Sequence, residues 1–250
     1  MRLIVTRPEP DATRTGRALI ALGHVAILSP MIEIIANPDA LLPDRPFQAV
    51  LATSANGVRA LATDPHRGQV SLLPFFAVGD QSALQAKRAG FVGARSAGGA
   101  LDDLVALVAA ELRPEAGPLL YAAGDVQAGD LAGRLASRGF DVETAVVYRT
   151  EARAQLSGVA VKALKGGEAD GVLLYSQRSA AAFALALRAA GLAPLAQGVT
   201  CFCLSAASAA PLAAVSSGLI RVAEKPDQIS LFALIEGSRP ETPGSAPPQL

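Results

Sequence analysis

Residues 171–180, Gly-Val-Leu-Leu-Tyr-Ser-Gln-Arg-Ser-Ala, pass from one structural period to another within ten positions. Gly171 to Tyr175 is an unbroken apolar run of strand length, the pattern of a strand covered on both faces in a parallel sheet. Ser176 stands where a helix would begin, and its hydroxyl suits the free amides there. The helical segment that follows ends at Gly191 after Ala-Ala, as a helix C-terminus should. The stretch Leu51-Ala-Thr-Ser-Ala-Asn-Gly-Val58 makes the same handover, with Ser54 in the place of Ser176.

The alternation runs along the chain to about residue 235. Leu3–Val5, Val50-Leu51, Phe75–Val78, Leu119–Tyr121 and Cys201–Leu204 read as further buried parallel strands. The clearest helix between them puts Leu101, Leu104, Val105, Val108 and Leu112 on one stripe. Gly23, Gly90 and Gly139 close other helical segments. Strands and helices in alternation with short loops predict an α/β fold with parallel sheets.

Three kinds of strand-to-helix turn occur twice. Thr6 to His24 resembles Ala122 to Phe140; the Ser54 turn resembles the Ser176 turn; Ala77–Ala83 resembles Cys203–Ala209, aligning Ser82 with Ser208. Two partitions fit this order. The chain could split in tandem near residue 110, or residues 37 to about 146 could form a domain inserted into the other. Met31–Ile35 and Val142–Arg149 alternate like exposed strands and lie where an inserted domain would join, so they could pair as a two-stranded hinge.

Twenty-two Lys and Arg balance 22 Asp and Glu, so no global field draws the protein to nucleic acid or to a membrane. The only cysteines, Cys201 and Cys203, share one face of a strand. With no further Cys, and with His24 and His66 lacking partners at ligand spacing, they read as small apolar side chains rather than a metal or redox pair. His24 reads as structural and His66 as an exposed loop residue. The N-terminus has too short an apolar run for a signal peptide, no window has the length of a membrane span, and the expected location is the cytoplasm. Residues 237–250, with four prolines, read as a disordered tail.

Ligands of doubly wound sheets bind beyond the carboxyl ends of the strands, at helix N-termini. Thr6, Ser54, Gly79 with Ser82, Gly124, Ser176, and Ser205 with Ser208 stand at those points. Each hydroxyl also suits an N-cap, and capping does not exclude binding. Free amides framed by small side chains can hold carboxylates without a fixed cation. Two domains facing across a cleft would offer several such places, which suits a polyanion. There is no P-loop, no GxGxxG after a strand and no Gly-x-Ser-x-Gly. Asp102 and Asp103 begin the helix of residues 101–112, where they complement its dipole.

Val5-Thr-Arg-Pro-Glu9, Thr53-Ser-Ala55, Ala77-Val-Gly79, Val147-Tyr-Arg-Thr150 and Leu174-Tyr-Ser-Gln-Arg-Ser179, in this order and spacing, resemble the uroporphyrinogen-III synthase family. The resemblance implies two flavodoxin-like doubly wound domains joined by a two-stranded β-ladder. It selects the insertion: residues 1–34 with 150–236 as one domain, 37–146 as the other. It implies a cofactor-free enzyme that takes hydroxymethylbilane, with transient contact to the deaminase that forms it; a mobile two-domain cleft suits a monomer. The bilane loses its terminal hydroxyl and closes through a spiro intermediate, with the last ring inverted.

The family's important tyrosine falls on Tyr148, where it would assist the leaving hydroxyl. A tyrosine merely packed on a connecting strand is the alternative. Ser82 and Ser208 fall in the family's cleft positions, and Thr6, Arg7, Ser54, Gly79, Gly124, Ser176 and Arg178 carry over as substrate-binding residues. The chain departs from the pattern at Ser205, where glycine is common, and at Ala123-Gly-Asp125, where an arginine often precedes the glycine. Two rivals are a non-catalytic solute-binding or sensor protein and a nucleotide-sugar transferase; the latter needs a base or diphosphate clamp that the sequence lacks.

Overall fold

The structure, a computed structural model, describes residues 1–37, 40, 45–65, 67–127, 129–213 and 219–238. The chain divides into two compact units, Met1–Glu33 with Glu151–Leu250 (unit 1) and Ile34–Thr150 (unit 2). The elements run β1 (Arg2–Val5), α1 (Asp11–Ala21), β2 (Val25–Leu28), β3 (Ile32–Ala36), β4 (Ala49–Ala52), α2 (Ala55–Thr63) and β5 (Phe75–Ala77). There follow α3 (Asp80–Arg88), β6 (Arg95–Ser96), α4 (Leu101–Glu111), β7 (Leu119–Gly124), α5 (Leu131–Ala136) and β8 (Val142–Ala152). The chain continues with α6 (Gly158–Lys165), β9 (Gly171–Leu174), α7 (Gln177–Ala189), β10 (Thr200–Cys203), α8 (Ala206–Ala209), β11 (Ile220–Val222) and α9 (Gln228–Glu236).

Unit 1 holds a parallel sheet in the order β11-β10-β9-β1-β2. Counted along the chain, its strands lie in the order 2-1-3-4-5 from the β2 edge, with the reversal of winding between β1 and β9. The central strands β1 and β9 bury side chains on both faces. Leu3, Val5, Leu173 and Phe202 meet Ala12 and Leu19 of α1 and Leu231 and Ile235 of α9. On the other face α7 packs against β9 and α6 against β2. The apolar run at 171–174 is therefore apolar throughout because helices cover both sides of it.

The second sheet has the order β3-β8-β7-β4-β5-β6. Strands β8 to β6 are parallel. Asn37 N donates to Val147 O at 2.8 Å and Arg153 N to Met31 O at 2.9 Å, so β3 runs antiparallel to β8. Counted along the chain, the parallel strands β8-β7-β4-β5-β6 read 5-4-1-2-3, a circular permutation of the order 2-1-3-4-5, with the reversal between β7 and β4. Each face has its own core. Val50, Ala52, Leu120 and Ala122 pack with Val58 and Leu61 of α2 and Ala83 and Ala86 of α3. Ala49, Leu51, Leu119 and Tyr121 pack with Leu104 and Val108 of α4 and Leu131 and Leu135 of α5.

The expected parallel α/β architecture is present, and the six apolar runs of the sequence are strands. The helix expected over 101–112 is α4, with Leu112 as its C-cap. Gly191, like Gly23, Gly90 and Gly139, has a positive φ (65°), and beyond it Leu192 N donates to Leu187 O at 2.8 Å. That bond closes α7 in a Schellman turn, which a residue with a side chain would strain. Strands β2, β6 and β11 did not stand out in the sequence; each lies at an edge of its sheet. His66 and residues 239–250 lie outside the described residues. Among the described residues, no helix is long and apolar enough to cross a membrane.

His24 is buried, with its Nε2 2.6 Å from Glu236 Oε1, tying the end of α1 to the end of α9. Cys201 and Cys203 are buried and unlinked, and burial pushes the Cys203 thiol up to about 12. Asp102 and Asp103 stand in the first turn of α4, where the sequence placed them, and Asp102 pairs with Arg134.

Candidate active site

In unit 2 the chain leaves β4 at Ala52 and turns through Thr53 and Ser54 into α2. Ser54 is the N-cap: its Oγ accepts from Gly57 N at 3.2 Å. The same oxygen lies 2.9 Å from the hydroxyl of Tyr148, on β8. Tyr148 is 7% exposed. It reaches Ser54 because β7, which separates β8 from β4, carries no side chain at Gly124.

A register shift between Ala123 and Gly124 sets Gly124 beside Tyr148. A Cβ on Gly124 would stand 2.5 Å from the Tyr148 Cζ and 2.7 Å from its hydroxyl. The constraint is one of space, since the φ of Gly124 is not positive. Gly57 serves the same end in α2, where a Cβ would stand 2.7 Å from the Ala122 carbonyl oxygen. Beyond the tyrosine, Asp125 N donates to Tyr148 O at 3.0 Å, and the Asp125 carboxylate accepts from Thr150 N and Thr150 Oγ1, each at 3.1 Å. Ser54 and Gly124 thus fix the phenol, and Asp125 ties down the backbone beside it.

On the opposite face of the same sheet, Thr53 Oγ1 lies 2.9 Å from the hydroxyl of Tyr121. Burial raises Tyr121 above its ordinary value of 10.0, against a smaller opposing effect of the Thr53 hydrogen bond. Its hydroxyl therefore stays protonated at neutral pH. A cavity of about 230 Å³ opens beside this pair. Gly79 is the N-cap of α3, and Ser82 is buried in that helix's first turn, its N–H donating to Gly79 O at 3.1 Å. The N-termini of α2 and α3 both lie past the carboxyl ends of their strands, where helix dipoles favour negative charge.

In unit 1 the hydroxyls are turned largely onto their own backbone. Thr6, fully buried after β1, donates from Oγ1 to Leu173 O at 2.6 Å across to β9. Ser176 caps α7, accepting from Ser179 N at 3.1 Å, and Arg178 is exposed in the first turn of that helix. Ser205 and Ser208 form a reciprocal capping box at α8: Ser208 Oγ accepts from Ser205 N at 3.0 Å, and Ser205 Oγ accepts from Ser208 N at 3.4 Å.

Arg7 sits beside the reversal of winding between β1 and β9. Its guanidinium donates to Gln228 Oε1 and Asp11 Oδ2, both at 3.2 Å, and to Thr15 Oγ1 at 3.4 Å. Its Cζ lies 4.3 Å above the centre of the Tyr175 ring. Burial raises Tyr175, and the charge of Arg7 opposes that rise.

Of the residues singled out in the sequence, the structure thus joins Ser54, Gly124 and Tyr148 in direct contact. Gly79 and Ser82 share one helix start, as do Ser176 and Arg178. Tyr121 and Thr53 were not picked out as a pair. A tyrosine inside an apolar run reads as core, and only the fold shows that the two hydroxyls meet. Among the described residues, no group of three or more His, Cys, Asp or Glu side chains is placed to hold a metal ion.

Similar proteins share this fold. A solved uroporphyrinogen-III synthetase from Helicobacter pylori superposes with a TM-score of 0.62 over 96% of this chain and 100% of its own, at 18% identity. A mutant uroporphyrinogen III synthase from the extremely thermophilic bacterium Thermus thermophilus gives 0.53 over 95% and 96%, also at 18% identity. At that identity the likeness concerns the fold. No individually curated protein sequence matches significantly. The model of the family described as uroporphyrinogen-III synthase HemD, however, matches residues 13–233, nearly the whole chain. On that match over most of its length, and with α/β sheets of the same fold, the chain belongs to the uroporphyrinogen-III synthase family, the cyclising lyases of tetrapyrrole biosynthesis.

Proposed function

We propose that Tyr148 is the acid that assists loss of the terminal hydroxyl when this enzyme cyclises hydroxymethylbilane to uroporphyrinogen III. The observation that supports this role is the bond of its phenol to Ser54 Oγ at 2.9 Å, over a strand position left bare at Gly124. A hydroxyl that accepts from or donates to Ser54 is oriented, and a phenol can donate its proton to a departing oxygen. Electron density from the terminal pyrrole expels that oxygen, which takes the proton and leaves as water. The resulting cation is attacked by the substituted α-carbon of the last ring. The spiro centre so formed breaks at its other bond, and the ring recloses turned over. Its unsubstituted α-carbon then loses a proton, which restores the phenol, so the net loss is one water.

No covalent intermediate with the protein is needed, and most of the task is holding one bent geometry. Ser54, Gly79, Ser82 and Gly124 in unit 2, and Thr6, Arg7, Ser176, Arg178 and Ser208 in unit 1, are the groups we assign to binding the carboxylates. The free amides at the starts of α2, α3 and α7 support this, because they offer positive ends without a net positive charge on the protein. Thr6 and Ser208 act in this reading by shaping those turns, since their own hydroxyls bond the backbone.

We further read residues 37–146 as a flavodoxin-like domain inserted into a second one made of residues 1–34 and 150–236, with β3 and β8 as the ladder that hinges them. The strand order 2-1-3-4-5 in unit 1 and its circular permutation in unit 2 support this reading. A cytoplasmic monomer receiving its unstable bilane from the deaminase that makes it completes the proposal.

The test is the isomer of the product. Hydroxymethylbilane is generated in place, the protein added, and the oxidised porphyrins separated. The inverted III isomer should dominate over a control without protein. The uninverted I isomer at the spontaneous rate would leave only a binding protein of the same fold.

A further inference from the structure

The cavity beside Tyr121 is not used by the chemistry assigned to Tyr148. It lies wholly in unit 2, at the carboxyl end of its sheet, on the face covered by α4 and α5. Thr53, Val78, Gly99, Leu101, Tyr121 and Gly129 line it, around about 230 Å³. That is several times the ~30 Å³ share of one water. Val78, Leu101 and the Tyr121 ring make apolar walls, and the two glycines leave the rim open.

The polar part of the wall is the Tyr121–Thr53 hydroxyl pair, 2.9 Å apart. One hydrogen is shared between the two oxygens, so lone pairs remain to accept a further bond. Among the described residues, no lysine or arginine lines the cavity. The charged residues next in the chain, Asp102 and Asp103 after Leu101 and Asp130 after Gly129, do not line it either. Arg134 is paired with Asp102, and Asp130 accepts from Gly133 N at 2.8 Å. A carboxylate brought here would be taken among apolar walls with no lining cation to meet it. A flat, uncharged ring with one N–H donor meets apolar walls and an acceptor. Burial keeps Tyr121 protonated and so keeps the pair neutral.

We propose that this cavity is a ring subsite: it takes the body of one pyrrole of the linear tetrapyrrole, whose N–H donates to the Tyr121–Thr53 hydroxyl pair, while the ring's carboxylates stay outside. The assignment rests on the reading of the chain as an enzyme of tetrapyrrole cyclisation. In that setting the helix starts recognise charge, and the cavity recognises the ring itself. Thr53 and Ser54 are adjacent, so the turn that orients Tyr148 also holds one side of the subsite. Tyr121 is thus a specificity-determining residue for the same reaction.

Two measurements test it. In the first, Tyr121→Phe and Thr53→Val each remove one hydroxyl at nearly constant shape. Each should raise KM for hydroxymethylbilane about fivefold, the worth of one hydrogen bond, with kcat within about twofold. The dependence of KM on salt should be the same as in the wild type, because the lost contact is not ionic. An unchanged KM in both variants overturns the subsite. A flattened salt dependence overturns it too, since it would mean that the cavity holds a carboxylate.

The second measurement does not depend on turnover. Uncharged 2,5-dimethylpyrrole and, separately, sodium acetate are titrated into the wild-type protein and into Val78→Phe, which fills the cavity. The NMR signals of Thr53, Val78 and Leu101 in the wild type should shift saturably with the pyrrole and not with acetate. In Val78→Phe those of Thr53 and Leu101 should no longer shift. No response to the pyrrole, or a response to acetate alone, sinks the proposal. A wild-type protein that binds the pyrrole here yet makes no III isomer would refute the enzymatic reading and leave the cavity's ring recognition standing.

Discussion

The phenol of Tyr148 is held by a hydroxyl on one side, a bare α-carbon beneath it and a backbone bond just beyond it. Tyr148→Phe removes the proton donor and one hydrogen bond. Turnover should fall at least about tenfold, while stability changes by only about 1 kcal/mol; kcat and the urea midpoint read the two effects apart. An unchanged kcat would reduce Tyr148 to a packing residue. Gly124→Ala tests the same spot by crowding. Its methyl would stand within 2.5 Å of the ring, so the ring must move or the strand must shift. We expect a destabilisation of about 1–3 kcal/mol with loss of turnover, and a variant with wild-type melting and rate would refute the tight fit. Sequence reading reached Ser54 from its place at a strand-to-helix turn and Tyr148 through resemblance, but not the reason Gly124 is glycine. That reason lies on a neighbouring strand, where no local pattern can record it. Tyr121 escaped for a related cause: inside an apolar run, a tyrosine looks the same whether or not its hydroxyl borders a cavity.

Among the elements, α7 depends most plainly on its ends. It is 13 residues long, begins at the Ser176 cap and closes at the Gly191 turn. Ser176→Ala should leave Ser179 N without its acceptor and cost about 1 kcal/mol in a urea titration. A loss under a few tenths would mean that water replaces the cap freely. These caps were legible because they follow from local chemistry: a hydroxyl at the start, a glycine at the end. The interior strands were legible as well, since burial on both faces demands unbroken apolar runs. Edge strands carry no such demand. β2 has a single buried residue among exposed and half-buried ones, β11 is mostly half-buried, and β6 is two residues long. Their places are decided by pairing with β1, β10 and β5 rather than by their own composition.

For the molecule as a whole, the groups moved by burial act together at high pH. Tyr121 and Tyr175 lie above their ordinary 10.0, and Cys203 rises from 9.0 to about 12. The unfolded chain loses these protons first, so between about pH 9 and 12 the folded state holds more of them, and stability must fall as pH rises. It is fully present below about pH 9. Urea midpoints at about pH 8 and about pH 11 should differ accordingly, and Cys203→Ala should flatten the decline; a midpoint that does not move with pH would contradict this. The discontinuity of unit 1 acts in time rather than in free energy. β1, with Leu3, Ile4 and Val5 wholly buried, is completed by β9 on one side, yet β9 is made only at residues 171–174. On a ribosome adding roughly 5–20 residues per second, the first strand waits on the order of ten seconds for that partner. Unit 2 is contiguous and can fold within the interval, bringing Asn37 and Val147 side by side. Until then an apolar edge of the nascent chain stands open to any passing strand, so its hazard of mispairing belongs to its synthesis rather than to its finished state.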